Sequence, residues 1–118
     1  MAFNKYIDPT ERKIINHLLR HLLKQPGCKI MVHDGEEWAT GWSDNYEELT
    51  SAIGHTDYTS LRVRFMNGTQ VESKGWIDLI HGNHFDVVSD YSTSLEEYMR
   101  ASNRFVDQLM ADRVKRNG

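Results

Sequence analysis

The chain has 118 residues, 26% of them charged and 39% hydrophobic, with a net charge of -3; it is long enough for one domain with its own core and lies outside the range of disordered chains. Its single cysteine, Cys28, excludes an intrachain disulfide and a thiolate-rich zinc site. No apolar run approaches the length of a membrane span, and MAFNKYIDPTERK lacks the apolar centre of a signal peptide, so a cytoplasmic location is expected.

The charge is unevenly spread. Between Lys29 and Arg62 there is no Lys or Arg, while Asp34, Glu36, Glu37, Asp44, Glu47, Glu48 and Asp57 all fall in that interval. The flanking segments are basic or balanced, so the middle is an acidic block.

In chain order, DPTERKIINHLLRHLLKQPG predicts a helix. Asp8 caps it, Pro9 suits its first position and Glu11 stands where a capping box places a carboxylate. Ile14, Ile15, Leu18, Leu19, Leu22 and Leu23 then form one apolar stripe, and Pro26-Gly27 ends it. CKIMVHDGEEWATGW reads as two short strands about a turn at Asp34-Gly35. SDNYEELTSAIG follows as a short helix with Asp44 and Glu47 as its capping pair, Tyr46, Leu49 and Ile53 on one face and Gly54 at its end.

SLRVRFMNGTQVESKGWIDLI contains a second hairpin, for which a three-residue loop sets Phe65 opposite Val71 and Arg64 opposite Glu72. Leu61, Val63 and Phe65 then face the core, with Arg62 and Arg64 on the other side. In WIDLIHGNHFDVVSDYS a tight turn at Gly82-Asn83 makes a third hairpin, with Ile80 opposite Phe85, Asp78 opposite Val87 and His81 opposite His84. Ser94 and Glu97 form a capping box for a last helix buried through Leu95, Tyr98, Met99, Phe105, Val106, Leu109 and Met110, with Arg113, Lys115 and Arg116 at its end. These elements predict one α+β domain over residues 1–118. Its antiparallel sheet has about five strands built from hairpins, the N- and C-terminal helices pack on one face, and the short helix lies between strands two and three.

Few residues suggest chemistry. His81 and His84, with Asp86 diagonal to them, are the alternative metal or hydrolytic site, yet two histidines at an exposed turn lack the third fixed ligand of a metal centre and the outer partners that orient its ligands. Asp86 and Asp90 share a strand face but stand roughly 13 Å apart, too far to act on one bond, and Asp78 points to the opposite face. His17 and His21 have metal-binding helical spacing, but Leu18 occupies the position of a metalloprotease glutamate, which favours boundary packing. Cys28 reads as a buried thiol. RVRF alternates arginine with apolar residues, but no aromatic platform accompanies it in the sequence, so direct nucleic-acid binding is not expected.

The acidic block carries the leading functional expectation: a partner-binding surface of Glu36, Glu37, Trp38, Trp42, Asp44, Tyr46, Glu47 and Glu48 that attracts a protein with a basic surface. The competing reading makes Trp38 and Trp42 core residues with the acids as a solvated rim, since large aromatics are mostly buried. Neither reading calls for a cofactor or a membrane.

HDGEEW, GWIDLIHGN and DVVSDYS, spanning residues 29 to 92, resemble a pattern in small phage and mobile-element proteins of proteobacteria. The resemblance implies a shared fold. Its phage setting implies a non-catalytic protein that binds and blocks a host factor.

Overall fold

Residues 7–117 are described by the computed structural model; residues 1–6, which open the stretch read for a signal peptide, and the Arg116 side chain lie outside that description. The first helix, α1 (Pro9–Leu23), starts as its sequence dictates: the Asp8 side chain accepts from the Glu11 amide at 2.9 Å and Pro9 takes the first turn. Strand β1 (Lys29–His33), helix α2 (Tyr46–Ala52), strands β2 (Tyr58–Asn67), β3 (Gln70–Ile80) and β4 (Val88–Tyr91), and helix α3 (Glu96–Asn117) follow. The four strands form one antiparallel sheet in the order β1-β2-β3-β4. The class is therefore α+β.

Among the described residues the sheet has four strands where about five were expected, and α2 lies between β1 and β2. The segment expected as the second strand makes only isolated bridges to β1, His33 with Trp38 and Ile30 with Ser43. Six residues from Trp38 to Ser43 thus face four from Ile30 to His33, and no regular ladder accommodates two surplus residues. Thr40 fills in with its side chain, its hydroxyl accepting from the Val32 amide at 3.0 Å. Asp34 shapes the preceding turn by accepting from the Glu36 and Glu37 amides, both at 2.9 Å. At α2, Asn45 caps the helix in place of Asp44, accepting from the Glu48 amide.

The β2–β3 hairpin closes with Asn67 opposite Gln70, so the loop is Gly68-Thr69, and a bulge shifts the register beyond Met66. Phe65 then faces Ser73 and Arg64 faces Lys74, correcting the expected Phe65–Val71 and Arg64–Glu72 pairs. Without the bulge, Leu61 would face Trp76; with it, Leu61 faces Ile77 and Thr59 faces Leu79. A one-residue slip exchanges the two faces of a strand, so the bulge is what puts Ile77 and Leu79 on the buried side.

The third hairpin also differs. Asp78 pairs with Asp90 and Leu79 with Val88, and the connection contains a 3₁₀ turn at His84–Asp86. His81 and His84 are therefore not opposed across a tight turn.

One buried cluster joins the α1 stripe (Ile14, Ile15, Leu18, Leu19, Leu22) to Ile30, Val32, Leu61, Val63, Phe65, Ile77 and Leu79 of the sheet and to Leu95 and Met99 near the start of α3. Phe65 and Tyr98 meet at 4.4 Å between ring centroids, and His17 stacks on Phe105 at 4.2 Å. Gly75 lets the 93–95 turn close on β3: a Cβ there would lie 2.2 Å from the Ser92 hydroxyl and 2.7 Å from Leu95 Cγ. Met110 departs from the expected stripe and is exposed. No described helix is long and apolar enough to cross a membrane.

Candidate functional site

Two places gather side chains that the fold alone does not demand. The first is the junction between the start of α1 and the β3–β4 connection. Glu11 does not complete a capping box; its carboxylate is fully buried, and Oε2 accepts from the amides of Gly82 at 2.9 Å and His84 at 3.1 Å. Those two donors lie in the open connection outside the β3–β4 ladder, and Glu11 supplies their acceptor. Gly82 turns with φ 101° and His84 with φ 51°, the latter among the described residues the only non-glycine in the left-handed region.

Around Glu11 stand Asp8, His81 and His84. Asp8 Oδ2 lies 2.7 Å from His84 Nδ1, at the exposed mouth of the junction. His81, expected at a solvated turn, is buried, with Nδ1 3.5 Å from Glu11 Oε1 and Nε2 2.8 Å from the Thr59 hydroxyl. The Thr59 oxygen also accepts from the Gly54 amide, so Thr59 ties His81 to the end of α2. At 3.5 Å the contact between His81 and Glu11 is too long for a hydrogen bond, and Glu11 Oε1 and His81 Nδ1 are both buried without a partner.

Burial, followed by the neighbouring Asp8 carboxylate, raises the Glu11 carboxyl to about 7, against the opposing pull of the two amides. At Asp8 burial pushes upward, but bonds from Glu11 and the nearby His84 prevail and hold it below the ordinary carboxylate range. Burial lowers the His81 imidazole below its ordinary value. The junction thus combines an ionised carboxylate, a carboxyl that titrates near neutrality and two imidazoles.

The second place is the sheet face opposite the buried side chains of Ile30, Val32, Leu61 and Val63. Cross-strand rows set Met31 beside Arg62 and Arg62 beside Trp76, and Lys29 beside Arg64 and Arg64 beside Lys74. The surplus residues of the 38–43 segment leave Trp38 49% and Trp42 38% exposed. Both line a groove of about 640 Å³ together with Met31, Arg62, Lys74 and Trp76. The Arg64 guanidinium lies 4.4 Å from the Trp42 ring centroid, and His33 meets Trp38 edge-on at 5.0 Å.

The residues of the acidic block are distributed differently from their sequence proximity. Glu36 and Glu37 are exposed in the turn before Trp38, and Asp44 pairs with Lys29 at 3.6 Å. Tyr46 turns to α1, where its hydroxyl meets Asn16 and Arg20 lies over its ring at 4.3 Å. Glu47 and Glu48 are exposed in the first turn of α2. The charges lining the tryptophan groove are therefore Arg62 and Lys74. The sequence carries the alternation of RVRF; the platform became legible only through the register that sets Trp76 beside Arg62.

Asp86 lies in the 3₁₀ turn and joins no cluster; Asp8 and Glu11 are the carboxylates beside the histidines. Asp78 accepts from the Ser60 hydroxyl, which in turn accepts from Arg62. Burial, with Asp44 nearby, pushes the Cys28 thiol up to about 12. No family model, curated protein or solved structure matches this chain.

Proposed function

We propose that the chain is a non-catalytic protein–protein interaction module whose open sheet face holds an extended, carboxylate-bearing segment of a partner. One observation carries this reading: Trp38 and Trp42 stand half-exposed over a groove that also contains Trp76, Arg62 and Lys74. Indoles are frequent binding anchors because they bury a large area with few rotatable bonds. The charge complement follows from the row Lys29–Arg64–Lys74, where like charges stand directly opposite and repel, and Asp44 offsets only Lys29. An acidic segment relieves that repulsion. The acids that neighbour the tryptophans in sequence, Glu36, Glu37, Glu47 and Glu48, then act at the margin, rejecting strongly acidic surfaces that lack an apolar anchor. Such a module inhibits simply by occupying its partner, the use implied by the resemblance to phage proteins.

The test is a displayed library of random peptides panned against the protein. The expected winners combine Asp or Glu with an aromatic residue and lose binding to Trp42→Ala and to Arg62→Glu/Lys74→Glu, with truncation of an anchoring indole costing roughly 2 kcal/mol. Basic winners that depend instead on Glu36, Glu37, Glu47 and Glu48 would return the site to the acidic block. Tighter binding of oligo-dT than of any peptide would make the face a nucleic-acid platform.

A further inference from the structure

We propose that Asp8, Glu11 and His84 form a binding site for a divalent transition-metal ion of the Zn²⁺ kind, with His81 orienting Glu11 from behind. One donor atom from each of the three lies within 4.8 Å of the other two. Ligands held at about 2.0–2.2 Å from one zinc ion stand at most about twice that distance apart, so the three donor atoms need to draw together only slightly to share an ion. Asp8 Oδ2 and His84 Nδ1 already face each other at 2.7 Å, and a metal ion entering there replaces the proton between them.

The buried part of the site supplies the second argument. Glu11 Oε2 is occupied by two amides, whereas Oε1 has no hydrogen-bond partner although the side chain is fully buried. Among the described residues no Lys or Arg pairs with this carboxylate. An ionised carboxylate in such a place lacks a counter-charge, and a dication shared with Asp8 provides one. His81 completes the pattern. It is buried, it is fixed by Thr59, and its Nδ1, itself without a hydrogen-bond partner, stands 3.5 Å from Glu11 Oε1, near enough for a hydrogen bond to close as the carboxylate turns onto a metal ion; ligating carboxylates commonly take an outer partner of this kind. Two carboxylates and an imidazole favour zinc or manganese over softer ions, and His84, exposed at the mouth, leaves an entry path and an open coordination position.

The metal alone is the probe. Protein stripped with chelator is titrated calorimetrically with Zn²⁺, and Co²⁺ is added separately to read its visible absorption. The expected result is one zinc per chain at micromolar affinity or better, with Co²⁺ bands typical of a four- or five-coordinate site. Two variants remove a ligand without endangering the fold. Asp8→Asn keeps a competent helix cap, and His84→Gly relaxes the positive φ. Each is expected to weaken zinc binding by roughly tenfold or more and to abolish the Co²⁺ bands, while His17→Ala changes neither. No binding by the unaltered protein, binding unaffected by Asp8→Asn and His84→Gly, or binding lost in His17→Ala each overturns the proposal.

Discussion

Glu11→Gln is the perturbation that interrogates the junction most directly. In the unfolded chain the carboxyl titrates near 4.5; in the fold it titrates near 7, because it is buried and stands beside the Asp8 carboxylate. Between those values the folded state binds the extra proton, so stability falls as the pH rises through 7. Carrying the charge buried above pH 8 therefore costs about 3 kcal/mol relative to the protonated fold, since each tenfold change in proton affinity is worth about 1.4 kcal/mol. Glutamine keeps an acceptor for the Gly82 and His84 amides and has no charge to bury. Histidines and carboxylates remote from Glu11 cancel in the difference between the two proteins, while Asp8, which faces Glu11, contributes together with it. Urea unfolding in chelator at pH 6 and pH 8 should show the Glu11→Gln protein gaining, relative to the unaltered one, about 1 kcal/mol on going to the higher pH. It should also be the more stable of the two at pH 8. An identical pH dependence in both proteins, or a Glu11→Gln protein that loses stability at pH 8, refutes the reasoning that the carboxylate is buried without sufficient compensation.

Three further outcomes are expected. Gly75→Ala forces a methyl against Ser92, Ser94 and Leu95 and should cost about 2–3 kcal/mol by overpacking, measured by thermal denaturation. Asp34→Ala deprives the Glu36 and Glu37 amides of their acceptor and should cost about 1–2 kcal/mol. Bonds from those two amides, Glu37 first, hold the Asp34 pKa below its ordinary value, so its contribution is present above about pH 4 and lost in stronger acid; the variant's acid unfolding should be correspondingly flatter. Cys28, buried and with its thiol raised to about 12, should react with an aromatic disulfide reagent only when the protein unfolds; labelling at the rate of an exposed thiol would contradict its placement.

What the sequence made legible follows the range of the interactions involved. The first helix was readable because Asp8, Pro9 and the leucine stripe act within a few turns of one another, and the outward side of Arg62 and Arg64 because strand alternation is local. The β2–β3 register was not readable. The three-residue loop fits the turn residues, but the observed bulge is selected by Ile77 and Leu79, which gain burial against residues far from the loop. The expected second strand failed for a similar reason: Trp38 and Thr40 have strand propensity, but the residue count between the two bridges with β1 does not close a ladder. At the junction, Glu11 sat at a spacing that fits a capping box, and nothing near it in sequence points to Gly82 and His84, more than seventy residues away. A weak signal did exist. Two histidines around a Gly-Asn pair leave several amides in need of acceptors, and a carboxylate from elsewhere was the missing part.

The two sites meet in β3, which carries Lys74 and Trp76 at the groove and ends beside His81. Six steps of extended chain run from Gly75 to His81, roughly 20 Å at about 3.3 Å per step, and no described side chain belongs to both places. Communication through a strand requires an element with two arrangements. The interior of β3 offers none, since Ile77 and Leu79 are locked in the buried cluster and paired on both sides, to Leu61 and Thr59 on β2 and to Tyr91 and Val88 on β4. The groove and the junction should therefore behave as independent sites: Trp42→Ala leaves the zinc titration unchanged, and His84→Gly leaves peptide binding unchanged. The junction's work is then local, fixing the β3–β4 connection against α1, while recognition rests on the tryptophans and the cations beside them.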